Sequence, residues 1–380
     1  MAGGAIDRLG VPRSATQTTW PLGANGRTDC TTAHDSLRRP FFPPGTRQNC
    51  AMENMSALPG RWADDPATMY LTGDRVIRVE GAGGRDWLNS LLTADIRAPS
   101  PAVARYGLFL NAGAGIVSDA WIVECQAHGG ASAALAVVVQ EPLAECVYDL
   151  LQRYLFDEKI AIDFDPTICV VSILGPAALD LAAELREKVS AYSCDRLGFG
   201  GVDVWLPVAQ GEAADTLSAL ARVRGVRSVN RSAWEATRIA LGVPRAGAEL
   251  DESSSPHEAG IETRAVSFSK GCYIGQERVG RQQRRKDMDR RLVQLEIEGG
   301  ARVPVGSGVV DPLGANVGRV TSMTVSPRSS KDGTALGYVK ANYAQPGVRL
   351  VVDVFPAYVA GVVGQSEFRM NHETPVTVAL

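Results

Sequence analysis

The sequence predicts an α+β protein that ends in a small antiparallel β-barrel, and three observations carry that expectation. Apolar segments of strand and of helix period alternate irregularly from Tyr70 to Leu241. After Arg291 the segments have strand period only and are separated by Gly and Pro turns, which fits a barrel or a sandwich. Hydrophobic residues make up 45% of the 380 and charged residues 21%, the composition of a folded chain with room for two or three domains.

The elements follow in order. Residues 1–55 are rich in Gly, Pro, Thr and Arg, hold no lysine and show no apolar periodicity. They read as a disordered leader with the Arg-rich, acid-poor bias of a mitochondrial transit peptide. Val76, Ile77 and Val79 lie in a strand, and Trp87, Leu88, Leu91 and Leu92 have helical spacing. The intervening Gly81-Ala-Gly83-Gly84 lacks the third glycine of a dinucleotide fingerprint, which Asp86 replaces. Tyr106–Leu110 and Ile116–Cys125 form a hairpin turning at Asn111-Ala-Gly113-Ala-Gly115, with Asp119 on the second arm. Ala134–Val139 is a strand, Pro142–Tyr154 a helix and Ile168–Leu174 a strand, which Gly175-Pro176 ends before a helix through Lys188. Val202–Leu206 is a strand, Glu212–Arg222 a helix, and Arg231–Leu241 a helix stopped by Gly242-Val-Pro244. A long polar stretch leads to a domain boundary near Lys286, so the expected units are 1–55, 56–286 and 287–380.

Composition also excludes. With 39 Lys+Arg against 42 Asp+Glu the net charge is −3, and no global basic field exists to hold DNA. The seven cysteines are scattered without a C-x-x-C pair, which fits neither a disulfide framework nor a zinc finger and suggests a reducing compartment. The longest apolar run, Ala133–Val139, is far below the roughly 20 residues of a membrane helix. His128, His257 and His372 are isolated and lack ligand spacing. Arg281, Arg284, Arg285, Lys286, Arg290 and Arg291 form a local basic cluster, either a solvated face or a patch for an acidic protein. It lacks the interleaved aromatics that stack RNA bases.

The segment densest in chemistry is Lys270-Gly-Cys272-Tyr-Ile-Gly275-Gln-Glu277, followed by Arg281. Gly271 and Gly275 permit a tight loop that presents the Cys272 thiol while Tyr273 or Ile274 anchors it. Lys270 beside it would favour the thiolate, the form that attacks electrophiles or ligates metals. By residue type alone a free cysteine is more often a small core hydrophobe. Cys125, Cys146 and Cys169 lie among apolar residues, where burial makes a thiol inert.

This K-G-C-Y-I-G-Q-E segment resembles the signature of the YgfZ branch of the folate-binding YgfZ/GcvT-like superfamily, which includes mitochondrial iron–sulfur assembly factors. Phe109-Leu-Asn111-x-Gly113 with Asp119, Arg238-x-x-x-Gly242-Val-Pro244, Pro256-x-Glu258, Val266-Ser267-Phe268, Arg290-Arg291-Leu292 and Gly337-Tyr338-Val339 fall in that family's order. The resemblance implies a ring-like core of two related α/β subdomains, a C-terminal antiparallel barrel, and a central opening for tetrahydrofolate. Asp119, Arg238, Asn111 and Glu258 match folate-facing positions; a carboxylate suits pterin N–H donors and an arginine a glutamyl carboxylate. Read locally, Asp119 is a paired hairpin residue and Arg238 a helix-surface cation. The aminomethyltransferase G-Y-T-G-E motif is represented only by Leu197-Gly-Phe199-Gly-Gly201-Val-Asp203, without its glutamate.

The function so implied is an accessory factor for maturation of [4Fe–4S] proteins in the mitochondrial matrix, related to aminomethyltransferases and leaning away from catalysis without excluding it. It would act with A-type scaffold proteins and use Cys272 as reactive thiol or transient ligand of a shared iron–sulfur cluster. The alternatives are a folate-dependent aminomethyl or methyl transferase, in which Asp119 handles a proton, and a tRNA-modification accessory protein.

Overall fold

A computed structural model of the chain describes residues 67–364 apart from short interruptions, the longest at 209–214 and 326–331. The expected leader at 1–55, with Cys30 and Cys50, and also His128, His372 and most of the helix expected at 212–222, lie outside the described residues.

Two five-stranded sheets make up the first part. Strands β1 (Thr68–Leu71) and β2 (Asp74–Glu80) go to different sheets, and helix α1 (Gly84–Leu91) follows. Next come the hairpin β3 (Arg105–Leu110) and β4 (Ile116–Gln126), then β5 (Ala133–Gln140), α2 (Glu141–Arg153), β6 (Ala161–Asp165), β7 (Ile168–Leu174) and α3 (Ala178–Leu185). Strands β8 (Ser190–Ser193), β9 (Gly201–Pro207) and β10 (Arg227–Val229) precede α4 (Arg231–Ala240), whose N-terminal cap is Asn230 accepting from the Ala233 N–H at 2.9 Å. One sheet has the order β10-β1-β7-β9-β8, the other β3-β4-β5-β2-β6.

Burial explains why β5 reads as an unbroken apolar run. Leu135, Val137 and Val139 pack with Leu88, Leu92, Val147 and Leu151 beneath α1 and α2. On the opposite face Ala136 and Val138 meet Val170, Tyr192, Cys194 and Trp205 of the other sheet. A strand covered on both faces has no polar side to alternate with. The outer face of the second sheet, carrying Val171, Ile173, Val202 and Val204, is covered by Leu181 and Ala182 of α3.

The expected long polar stretch after Pro244 is more ordered than its composition implies. It holds α5 (Glu262–Ala265) and α6 (Gln276–Arg285). Ala246, Leu250, Ile261, Ala265, Tyr273 and Val279 pin it to Leu108, Leu110 and Ile116 of the hairpin. These anchors are spaced too widely to show a period. The C-terminal part is a closed barrel rather than a sandwich. Strands β11 (Arg290–Glu298), β12 (Gly308–Val310), β13 (Asn316–Val325), β14 (Asp332–Lys340), β15 (Arg349–Val354) and β16 (Ala357–Val363) pair in the order β11-β14-β13-β12-β15-β16, and β16 returns to β11. Its interior is built from Leu295, Ile297, Val309, Val320, Val339, Leu350 and Val352. Closure leaves no sheet edge.

Trp205 is buried between the two sheets with its ring 5.0 Å from that of Tyr192. Trp205→Ala is expected to cost about 3–5 kcal/mol in urea unfolding. A loss under about 1 kcal/mol would show that the sheets do not share this core.

Candidate functional site

Strand alternation places Asp119 and Trp121 on one face of β4, and the register sets Tyr106 of β3 opposite Trp121. The Tyr106 hydroxyl donates to Asp119 Oδ2 at 3.0 Å, and the Tyr106 and Trp121 rings lie 4.9 Å apart. Arg264, whose guanidinium donates to the Asp195 carbonyl, covers both rings at 4.5 and 5.2 Å from their centroids. Arg196 lies 5.9 Å from the Trp121 ring and is held by Asp74 and Asp203, each at 2.7 Å. Asp203, at the end of the divergent glycine-rich segment, therefore has a structural partner.

Asp119, Tyr106 and Trp121 are each half-buried, so the face is enclosed without being sealed. Burial pushes the Asp119 carboxyl above the usual carboxylate range, with Asp74 adding to the effect, while the Tyr106 hydrogen bond and Arg196 oppose it. Burial, reinforced by Asp119, also holds the Tyr106 phenol well above its ordinary value. A carboxyl–phenol pair with a raised carboxyl pKa, set among flat rings and guanidinia, can exchange a proton with a bound planar heterocycle.

Arg238 does not join this group. It is 2% exposed, and each of its N–H groups already has an acceptor. Nε and Nη2 donate to Glu235, Nη1 to the Val243 carbonyl at 3.1 Å and to Glu249 at 3.0 Å, and Nη2 also to Ser322 Oγ at 3.0 Å. The expectation that it meets a folate carboxylate is corrected: no donor remains, and the residue is not a surface cation either. A cavity of about 440 Å³ beside it is lined by Glu235, Arg245, Arg319 and Met323 among others, and Asp119 is not part of that lining. Glu249, fully buried and bonded to Thr321, Ser322 and Arg238, is the residue that sequence reasoning missed. A single acid in a polar stretch gives no signal.

Lys270 requires a second correction. Its ammonium, 5% exposed, turns inward and donates to the carbonyls of Leu92 and Ala94 at 2.8 Å each and to Asn89. It thereby caps the C-terminal end of α1, where unpaired carbonyls attract a cation. Burial lowers its pKa to about 8. The amine is committed to α1 and does not serve the thiol. Cys272 is exposed, whereas Cys125 and Cys169 are half-buried and Cys194 buried. Cys146 departs from the expected set of free thiols, being disulfide-bonded.

Tyr273 and Ile274 both anchor the loop, as expected. Gly275 has φ 81°, and a Cβ there would sit 2.8 Å from the Asn111 carbonyl, so only glycine fits where the loop crosses the hairpin turn. By contrast, a Cβ on Gly271 would meet open space. Gln276 and Glu277 begin α6, and Arg281 pairs with Glu277 at 3.1 Å on its exposed side. Asn111 organises the turn, its side-chain oxygen accepting from Gly113 and Gly115 and its amide donating to Glu252. Glu258 accepts from the Ser255 N–H at 2.9 Å and pairs with Arg290 at 3.4 Å, tying the loop to the first barrel strand. Neither lies with Asp119 in the cluster of rings and guanidinia. Among the described residues no group of three or more His, Cys, Asp or Glu is placed to hold a metal ion. Any cluster bound at Cys272 would need ligands from a partner.

Comparison with known proteins agrees with this architecture. The family described as "Glycine cleavage T-protein C-terminal barrel domain" matches residues 290–368. An aminomethyltransferase of Thermosynechococcus vestitus is 26% identical over 77% of this chain and 81% of its own length, and one from Saccharopolyspora erythraea is 28% identical over 73% and 80%. The crystal structure of the glycine cleavage system aminomethyltransferase T of Bartonella henselae superposes with a TM-score of 0.70 at 19% identity, covering 81% of this chain and 88% of that one. The class so defined is a mixed α/β protein of GcvT-like fold with a closed C-terminal barrel. Within it, the chain is similar to aminomethyltransferases along most of its described length, and residues 290–368 match their C-terminal barrel domain.

Two expectations test the site. Because the Asp119 pKa is raised in the folded state, the unfolded chain releases this proton first as pH rises, and stability is lost from pH ~4 upward. Asp119→Asn keeps the acceptor for Tyr106 and should gain stability relative to wild type as pH rises above ~4; a pH dependence of the urea midpoint that is the same in both proteins would refute the raised value. Lys270→Met should cost about 2–4 kcal/mol by leaving buried carbonyls unpaired, while Cys272→Ser should move stability by less than about 1 kcal/mol.

Proposed function

We propose that the protein is a folate-dependent one-carbon transferase, with the Asp119–Tyr106 pair at its reacting centre. The observation that carries the reading is this carboxyl–phenol pair beside the tilted rings of Tyr106 and Trp121 and the Arg264 guanidinium that lies over both. Relatives named aminomethyltransferase along most of the folded length support it.

The residues fit a pterin: Asp119 offers an acceptor for ring N–H groups, and Tyr106 and Trp121 offer flat apolar surface. Tetrahydrofolate, when bound, supplies the carrier nitrogen that takes or releases the one-carbon unit. Asp119, held closer to neutrality than an ordinary carboxylate, accepts a proton from the reacting amine or returns it. Tyr106 orients the carboxylate by donating to it. Arg264, stacked on the rings, narrows the cleft and limits water. Arg238 takes no part, so a glutamyl tail must find another partner.

Reduced folate should raise the melting temperature by mass action, and Asp119→Ala should remove most of that shift while Arg238→Lys weakens folding first. An equal shift in wild type and Asp119→Ala would exclude the pair from the site. No shift at folate well above physiological concentration would remove the reading altogether.

A second reading, maturation of mitochondrial [4Fe–4S] proteins with an A-type scaffold partner, draws on a different observation. The thiol of Cys272 is the exposed one among the described free cysteines, at the tip of a loop locked from both sides. Under it, Cys272→Ser would fold normally yet fail to restore [4Fe–4S] enzymes in depleted cells.

A further inference from the structure

Helix α6 has two unlike sides. Val279 is fully buried, Gln282 donates to Ser255 Oγ at 3.1 Å, and Gln283 bonds the buried His257 at 3.0 Å. The outer side exposes Arg278, Arg281, Arg284 and Arg285, and among the described residues Glu277 is the carboxylate bonded to this row. Arg284 and Arg285 in the last turn suit the helix dipole, but Arg278 stands near its positive end. Arginines repeated at three- and four-residue spacing also repel one another. The chain as a whole carries a net charge of −3, so the row is a local feature.

A second feature adjoins it. Phe268 is 45% exposed, and its ring lies 6.0 Å from that of His257, the residue that holds Gln283. An exposed aromatic beside several arginines is the composition of a protein-binding hot spot.

We propose that the outer face of α6, with Phe268 as its apolar anchor, is a docking surface for a protein that presents an acidic helix or edge of matching length. The helix spans about 15 Å; Glu277 stands at its start, and the exposed Asp287 and Asp289 interrupt the basic run between Lys286 and Arg291 beyond its end. A finite acidic patch fits between them. A nucleic-acid backbone running on past α6 would meet those carboxylates, which favours a protein partner. The proposal goes beyond the chemistry at Asp119 and does not depend on it.

The test uses the full chain and two fluorescent probes: a glutamate-rich helical peptide with leucines along one edge, and a single-stranded RNA of similar extended length. Anisotropy titrations should show salt-sensitive binding of the peptide, weaker binding of the RNA, and a loss of peptide affinity of about tenfold or more in Arg278→Gln/Arg281→Gln/Arg284→Gln. Phe268→Ala should weaken binding while leaving the salt dependence unchanged, because it removes an apolar contact only. Unchanged peptide affinity in the triple variant, no binding by wild type at low salt, or tighter binding of RNA would each overturn the proposal. The folate-induced melting shift, followed in the same variants, should stay at its wild-type value; it separates failure here from failure at Asp119.

Discussion

The ion pair of Arg238 with Glu249, 3.0 Å apart and almost without solvent, is the constraint on which the arrangement of the parts depends. Removing two charges from water costs several kcal/mol each unless every donor and acceptor finds a partner. Here they do. Glu235 and the Val243 carbonyl complete the guanidinium from the first part of the chain, and Thr321 and Ser322 complete the carboxylate from the barrel. Tyr338 of β14 also donates to the Glu249 carbonyl at 2.9 Å. The network is satisfied only when α4, the segment after Pro244 and strand β13 are in place together, so it fixes where the barrel sits and consumes the arginine that the family pattern assigns to a ligand.

A second buried cation does the same for the cysteine loop. Lys270 spans to the end of α1, Tyr273 and Ile274 insert into separate cores, and Gly275 lets the chain pass close over the Asn111 turn. The loop is therefore rigid for reasons unrelated to its thiol, and the exposure of Cys272 follows from what holds its neighbours down.

The two functional readings thus rest on distinct places. The one-carbon reading places proton handling on the β3–β4 hairpin, where burial and neighbouring rings raise the Asp119 pKa. The other reading and the docking proposal concern the exposed Cys272 and the outer face of α6.

The sequence by itself determined the elements whose apolar pattern is dense or whose turns are chemically marked. The two-sided strand β5, the β3–β4 hairpin with Asp119, the capped helix α4 and the strand-only C-terminal part were all legible, because each is specified by residues close together in the chain. Short strands such as β1, β8 and β10 are too brief to show a period, and α6, almost wholly polar, buries Val279 alone and leaves its arginines exposed. Among the site residues, Asp119 lies on the second arm of the hairpin as its local pattern reads, and strand alternation fixes its face. What Arg238 and Lys270 do was decided by tertiary structure alone. Their long side chains take their direction from acceptors 84 and about 180 positions away, Ser322 for one and Asn89, Leu92 and Ala94 for the other, and a buried cation must go wherever the fold leaves oxygens unpaired.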